Sequence, residues 1–353
     1  MDNVVEVRLN GVKYAYWQQV SIHTSIDDLA TSVDLGLTTT GDDNHIKLDA
    51  NSVAQIYLNN LLISTVRADI LTRNVDADSH TVRFSARSLA RELIDCQYSI
   101  TLKKMMLGEI VKRICTLFKV PLNAPKTTPL VPDFSMQAES PANAILNAAR
   151  AGNVLIYSLP DGGLKIAEPD NNAPVATLVL GDNIKSYAVT DEYRLRFSEY
   201  YVKSFDYAAN TSRKGVMIDA GLSYFRPMHI VADRHGNALG ALQRRAELER
   251  NRRLARAHRI ELTLVGWGHE TAGNWQPWQI NTQVRVVIPT ENIDSVMLIG
   301  DLHFSQDDKQ GTLTHMTVMH RNAFVGIAEQ SKKKSAAKRK AKKVVKYDQS
   351  NLE

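Results

Sequence analysis

The strongest constraint on this chain is its punctuation. Over the first 95 residues, turn-forming pairs recur about every ten positions and separate short runs in which apolar and polar side chains alternate. Asn10-Gly11 lies between runs at 4–9 and 12–22, and Asn59-Asn60 between runs at 54–58 and 61–66. Further runs fall at 30–37, 68–73 and 80–85. A two-residue hairpin turn needs positive φ at both central positions, which Asn and Gly adopt at little cost. The rhythm predicts antiparallel strands closing as a sandwich or barrel. It leaves no room for the crossover helices of a parallel sheet. The pattern returns late in the chain, at 260–267, 283–288, 296–304 and 313–322, with one separate run at 193–205.

The stretch between reads differently. Ser88 can cap a short helix through Ile94, and Thr101 a longer one to about Phe118. The apolar stripe of the longer helix, Leu102, Met106, Ile110, Ile114 and Phe118, repeats every four residues. A proline-rich segment at 121–132 reads as an irregular connection. A helix follows with Ser140 as N-cap, Pro141 in its first turn and Gly152 just past its end. Runs at 154–159 and 164–167 flank Asp161-Gly162-Gly163 and predict a hairpin. The expected architecture is mixed β with an α+β insertion: two small barrel-like β domains flanking a helix-containing domain. The boundaries are 1–95 for the first β domain, 96–186 plus 206–257 for the mixed domain and 187–205 plus 258–328 for the second β domain. Residues 329–353 have too little apolar surface to offset ordering and read as a disordered basic tail.

Composition narrows the function. A chain of 353 residues suggests two or three domains. The net charge of +5 is misleading, because nine basic residues and no acidic ones crowd residues 332–346. Removing them, and the two acids that follow, from totals of 43 basic and 38 acidic leaves 34 against 36. The body is therefore not basic, which argues against a nucleic-acid-binding fold. The two cysteines, Cys96 and Cys115, have neither paired nor metal-ligand spacing. No apolar run is long enough to span a bilayer. The N-terminus lacks the basic and apolar regions of a signal peptide, so folding in a cytoplasm is expected.

Motifs for catalysis or cofactors are missing: no G-x-S-x-G, no phosphate loop, no H-E-x-x-H. No cofactor, metal or small-molecule substrate is expected. Asp301, His303 and Ser305 share one face of a predicted strand, but side chains two apart project in parallel and cannot converge as a triad requires. His315 and His320, five apart, face opposite sides. The conspicuous feature is a helix at about 238–257. Seven arginines fall between Arg244 and Arg259, beside a narrow stripe of Leu239, Leu242, Ala246 and Leu254. It reads as a solvated helix laced with ion pairs, as a subunit contact facing acidic groups, or as a nucleic-acid groove. Three of the four tryptophans, Trp267, Trp275 and Trp278, cluster just after it. Arg245, Arg252, Arg253, Trp275 and Trp278 are the candidate subunit-interface residues.

Two stretches carry a family resemblance. Residues 81–96, TVRFSARSLARELIDC, resemble the G-R-S…D-L-V-D-C signature of the Mu-like phage baseplate hub family, also called tail protein P or late-control D-like. Residues 241–289 are similar to that family's arginine-rich helix, its Gly-Trp strand and its L-W-x-P-N-x-L-V-x-V entry. This chain departs from the pattern at Ala86, at Glu92-Leu93-Ile94-Asp95 and at Trp278-Gln279-Ile280-Asn281. The resemblance implies a structural hub of a contractile tail: a homotrimer joining a hexameric tail tube to a trimeric central spike, in contact with other baseplate proteins. DNA would pass its channel without specific binding. It also implies a place in the virion baseplate after synthesis in a host cytoplasm, and offers the spike as a partner for the lysine tail. A tail-associated cell-wall hydrolase and the hub portion of a type VI secretion-like spike are the alternatives.

Overall fold

The computed structural model describes residues 5–9, 12–14, 17–39, 52–76, 80–206, 210–231, 241–271 and 273–324. The predicted turn at Asn10-Gly11 and the basic tail lie outside the described residues.

Among the described residues, the first region holds seven strands: β1 (Val5–Leu9), β2 (Val12–Tyr14), β3 (Gln19–Ser25), β4 (Ser32–Thr39), β5 (Val53–Leu58), β6 (Leu61–Val75) and β7 (His80–Ser88). The alternation read in sequence sorts their side chains. Val5, Val7 and Leu9 of β1, and Ala54, Ile56 and Leu58 of β5, all point inward. Asn59 and Asn60 both take positive φ, 48° and 65°, as a tight turn between β5 and β6 requires. The separate runs at 61–66 and 68–73 are one long strand, β6, with a register shift between Ala68 and Ile70.

The mixed region holds α1 (Arg91–Asp95), β8 (Tyr98–Met106), α2 (Leu107–Leu117), β9 (Leu122–Asn123), β10 (Leu130–Glu139), α3 (Pro141–Gly152), β11 (Leu155–Ser158) and β12 (Leu164–Ala167). The predicted helix at 101–118 is half right. Ile110 and Ile114 are fully buried on α2, but residues 98–106 form β8, paired with β10. The fourfold spacing of Leu102 and Met106 also fits a strand, and the distant partner β10 decides the outcome. Ser140 caps α3 by accepting from Asn143 N at 3.3 Å. Its end differs from expectation: Gly152 stays helical and Asn153 takes the left-handed position.

Next come β13 (Thr177–Val179), β14 (Ile184–Asp191), β15 (Glu199–Asp206), β16 (Thr211–Ile218), β17 (Pro227–Val231) and α4 (Ala241–Ala257). The chain then runs through β18 (His258–Val265), β19 (Gly268–Thr271), β20 (Asn274–Pro277), β21 (Gln283–Ile288), β22 (Ile293–Asp307) and β23 (Gly311–Met319). The two β regions are not separate bodies. The second half of β22 pairs with β3, from Asp301 opposite Ser25 to Asp307 opposite Gln19. This seam joins the two β regions into one thirteen-stranded sheet, in the order β14-β18-β23-β22-β3-β4-β7-β6-β5-β1-β2 with β21 and β13 branching from β22. One apolar core spans both regions.

The run at 193–205 was expected in the second β domain. Instead β15 lies between β16 and β17 in a small sheet of its own, whose core of Tyr200, Val202, Leu242 and Ala246 is shared with α4. The amide of Gln243 accepts from Val216 N at 3.0 Å and donates to Val216 O at 2.6 Å, closing the outer edge of β16. Gly215 permits this approach. A Cβ there would sit 2.2 Å from the carbonyl carbon of Leu242. Gly215→Ala should cost about 1–3 kcal/mol and raise hydrogen exchange across β15–β17 and α4 selectively. An unchanged exchange pattern would show that the helix does not need this contact.

Candidate functional site

Among the described residues, polar or charged side chains gather in an organised way at the joint after β7, at the seam between β22 and β3, and around α4.

The joint is the stretch that carries the family resemblance. Arg87 binds Asp69 through Nε at 2.6 Å and Asp95 through Nη2 at 2.6 Å, and Arg91 Nη1 reaches Asp69 and the Ala68 carbonyl, each at 2.6 Å. These bonds lock the end of β7 and helix α1 onto β6. Ser88 is fully buried; its Oγ accepts from Thr31 N at 3.3 Å and from Ser158 Oγ at 3.2 Å, tying the first β region to the mixed region. Ala86, where the family pattern has Gly, lies in extended strand opposite Val33 and Ala68, so no glycine conformation is needed. The matching joint on the other side uses Asn281, which the sequence marks only as part of a departure from the family pattern. It is buried with φ 57°, accepts from Asp170 N at 3.0 Å, and donates to Glu168 O at 3.2 Å and Tyr157 Oη at 3.3 Å.

At the seam, Asp301, His303 and Ser305 do not converge. Asp301 Oδ2 is 2.8 Å from His23 Nε2, and Ser21 Oγ is 2.9 Å from His303 Nε2, so each partner stands on β3. The histidines instead form a row across three strands. His23 and His303 have ring centroids 6.4 Å apart, and His303 and His315 are stacked at 5.6 Å. Thr263 continues the row at 3.2 Å from His315. His320 lies elsewhere, accepting from Asn322 N at 3.2 Å. Among the described residues no group of three or more His, Cys, Asp or Glu is placed to hold a metal ion. Cys96 and Cys115 are free, and burial pushes the Cys115 thiol up to about 12.

The row has a pH consequence. Burial first, then the neighbouring His315 and His23, hold His303 below the ordinary histidine value. The fold therefore favours its neutral form. That stabilisation is complete above about pH 6.5 and is lost as the pH falls below it. His23 has the opposite sign: its bond to Asp301 raises it, so its contribution is present below about pH 6.5 and lost as the pH rises through its folded value. His303→Gln should lose less thermal stability than the parent chain between pH 7.5 and pH 5. Parallel losses would mean that His303 does not feel its neighbours.

Around α4, the solvated-helix expectation fails. Arg245, Arg250, Arg252, Arg253 and Arg256 are all partly buried, because α4 is wedged between the small sheet and the rest of the fold. Leu242 and Ala246 face β15 and β16 as expected, but Leu254 points outward while Leu248 and Ala255 are buried. Arg253 Nε binds Glu249 at 2.6 Å and its guanidinium lies 5.2 Å from the Phe197 ring. Arg256 Nη2 reaches Asp27 at 2.9 Å. The Nε atoms of Arg245, Arg250 and Arg252 are buried without an acceptor. Of the two tryptophans proposed for an interface, Trp278 is only 6% exposed and packs on His269 within its own chain, whereas Trp275 is half-buried on β20. The proposed residues thus occupy two separate places, with the arginines on α4 and the tryptophans on the β19–β20 hairpin and the loop after it.

A continuous β scaffold carrying an inserted mixed region, with its polar side chains spent on joints, is the architecture that the resemblance to the phage baseplate hub family implies. The family comparisons give the particular branch. Residues 4–88 match the Mu phage baseplate assembly protein GpP-like N-terminal domain, 90–168 the baseplate hub protein gp44-like second domain, and 240–326 the GpP fourth domain. The chain belongs to the Mu-like phage baseplate hub family. It is 27% identical to baseplate hub protein gp44 of Escherichia phage Mu, over 94% of this chain and 92% of that protein. Two solved structures share the fold. One is the prophage MuSo2 43 kDa tail protein from Shewanella oneidensis, with TM-score 0.79, 24% identity, and 91% and 99% of the two chains covered. The other is the tail protein from Neisseria meningitidis MC58, with TM-score 0.81, 20% identity, and 92% and 98% covered.

Proposed function

We propose that this baseplate protein works as a symmetry adaptor without catalytic activity. Three copies close into a ring, with the hexameric tail tube on one side and the trimeric central spike on the other. The observation that carries this reading is the open sheet. Its main path ends in β14 at one side and β2 at the other, and among the described residues neither strand pairs further along that path. Exposed strand edges invite aggregation unless a neighbour covers them. A head-to-tail contact that closes after a threefold rotation covers every edge and leaves none loose. Two β regions per chain then offer six similar contacts to a tube and three to a spike. Other baseplate proteins dock on the outside. DNA passes the channel without a specific grip, so the wall is neutral or acidic and the arginines of α4 face elsewhere.

The protein's place is the virion tail, and its synthesis is in the host cytoplasm. Native mass spectrometry of the full chain tests the ring: a three-chain mass is expected, and a monomer at micromolar concentration would sink the reading. Incubation with peptidoglycan should leave turbidity unchanged, whereas clearing would favour a cell-wall hydrolase.

A further inference from the structure

Beside α4 lies a cleft of about 380 Å³, partly open to solvent, between that helix, α3 and the short 3-10 turn Arg321–Ala323. Its rim carries Arg150, Arg252, Arg253 and Arg256 against only two acids, Glu249 and Asp27. The acids are committed, Glu249 to Arg253 and Asp27 to Arg256. That leaves Arg150 and Arg252 unmatched. Arg150 has only a long bond to the Asn147 side chain, at 3.4 Å. Arg252 is the more telling. Its Nε is buried without an acceptor, and among the described residues it has no ion-pair partner. Burial, and next Arg256, hold its pKa below the ordinary arginine value. An arginine held in place, partly desolvated and unpaired, is costly unless an acceptor arrives from outside. The floor beneath it is apolar, formed by Leu155, Leu195 and Phe324 among others.

We propose that this cleft receives a carboxylate carried on an apolar segment of a second protein chain, with Arg252 and Arg150 as the carboxylate's partners. A guanidinium fork matches a carboxylate bidentately, and the apolar floor selects for hydrophobic residues flanking the acid. Duplex DNA is a poor match, since phosphodiesters bring no apolar surface to the floor. The chain's own continuation brings one acid, Glu329, after the apolar Val325-Gly326-Ile327-Ala328, but the nine basic residues at 332–346 that follow it are repelled by a cleft already rich in arginine. The inference rests on the hub reading only for the source of the segment, which is another tail component. The binding itself is a property of the single chain.

The test uses the full-length protein and fluorescence polarisation of a labelled peptide, Ac-Leu-Asp-Phe-Glu-Leu-amide, beside its Asn/Gln counterpart. The acidic peptide should bind at least about tenfold tighter than the amide peptide, and Arg252→Met should erase that difference. Equal binding of the two peptides to the parent chain overturns the proposal, and that comparison stands even if the variant fails to fold. So does a folded Arg252→Met chain that keeps the preference. Binding that tightens tenfold in Glu329→Gln would assign the cleft to the chain's own tail, and displacement by short duplex DNA at peptide-like concentrations would assign it to nucleic acid. Either result rejects a protein partner. Native mass measured on the same samples separates the two readings, since a monomer that prefers the acidic peptide removes the ring and keeps the cleft.

Discussion

Trp267→Ala should destabilise the protein by about 3–5 kcal/mol, the usual cost of deleting a large buried aromatic side chain. Trp267 is 1% exposed and stands at the end of β18, where the chain leaves the main sheet. Its ring packs on Phe304 with centroids 5.4 Å apart, and its Nε1 donates to the Ser305 carbonyl at 3.0 Å. Its own carbonyl accepts from Trp278 N at 3.0 Å. Phe304 and Ser305 belong to the part of β22 that pairs with β3, so the indole fastens β18 to the strand that joins the two β regions. The alanine variant leaves a cavity at that seam, and little can collapse into it from a sheet already paired on both sides. Trp267→Phe separates the terms. It keeps most of the packing and removes the donor to Ser305 O, and should cost about 1–2 kcal/mol. Chemical denaturation followed by far-UV circular dichroism measures both. A loss below about 1 kcal/mol for the alanine variant would mean that the seam is held by the strand ladder alone.

Trp267 was visible in sequence because a tryptophan between glycines at the end of an alternating run is a strong mark. The first β region was legible for the same reason: period-two alternation and asparagine turns are local signals. The seam was not legible, because β3 and β22 lie far apart in sequence and nothing within either strand names the other. The same limit misplaced β15, whose alternation fits any sheet, and turned β8 into a helix because its partner β10 sits behind a proline-rich stretch. The arginine helix misled in another way. Seven arginines suggest a solvated surface, yet long arginine stems pack well against apolar neighbours while their heads find acids. Reading composition as exposure ignored that second capacity.

The small sheet beneath that helix depends on one ion pair that no motif announces. Asp219 is buried, and its carboxylate takes Arg196 Nε at 3.0 Å and Nη2 at 2.9 Å, together with Gly221 N at 3.0 Å. Arg226 completes the frame by donating to the carbonyls of Arg196 and Arg194 at 3.0 and 2.9 Å. Asp219→Ala should cost about 3–5 kcal/mol, because it strands a largely buried guanidinium and frees the Gly221 amide. The loss should be local first. β15–β17 and α4 share one small core, so hydrogen exchange should rise there while the thirteen-stranded sheet stays protected. Removing both charges is the discriminating control. Asp219→Leu combined with Arg196→Met should recover most of the stability, since the penalty lies in the orphaned charge and not in the lost attraction. If the double variant is no better than Asp219→Ala, the pair positions the backbone and its charges are incidental. The same samples reach the arginine cleft. Glu249, Arg252, Arg253 and Arg256 are all carried by α4, so a sheet that no longer seats α4 should lose the preference for acidic peptide even with every cleft arginine present. Restoring the sheet with the double variant should restore that preference, and this couples a buried ion pair in a three-stranded sheet to recognition on the other side of the helix.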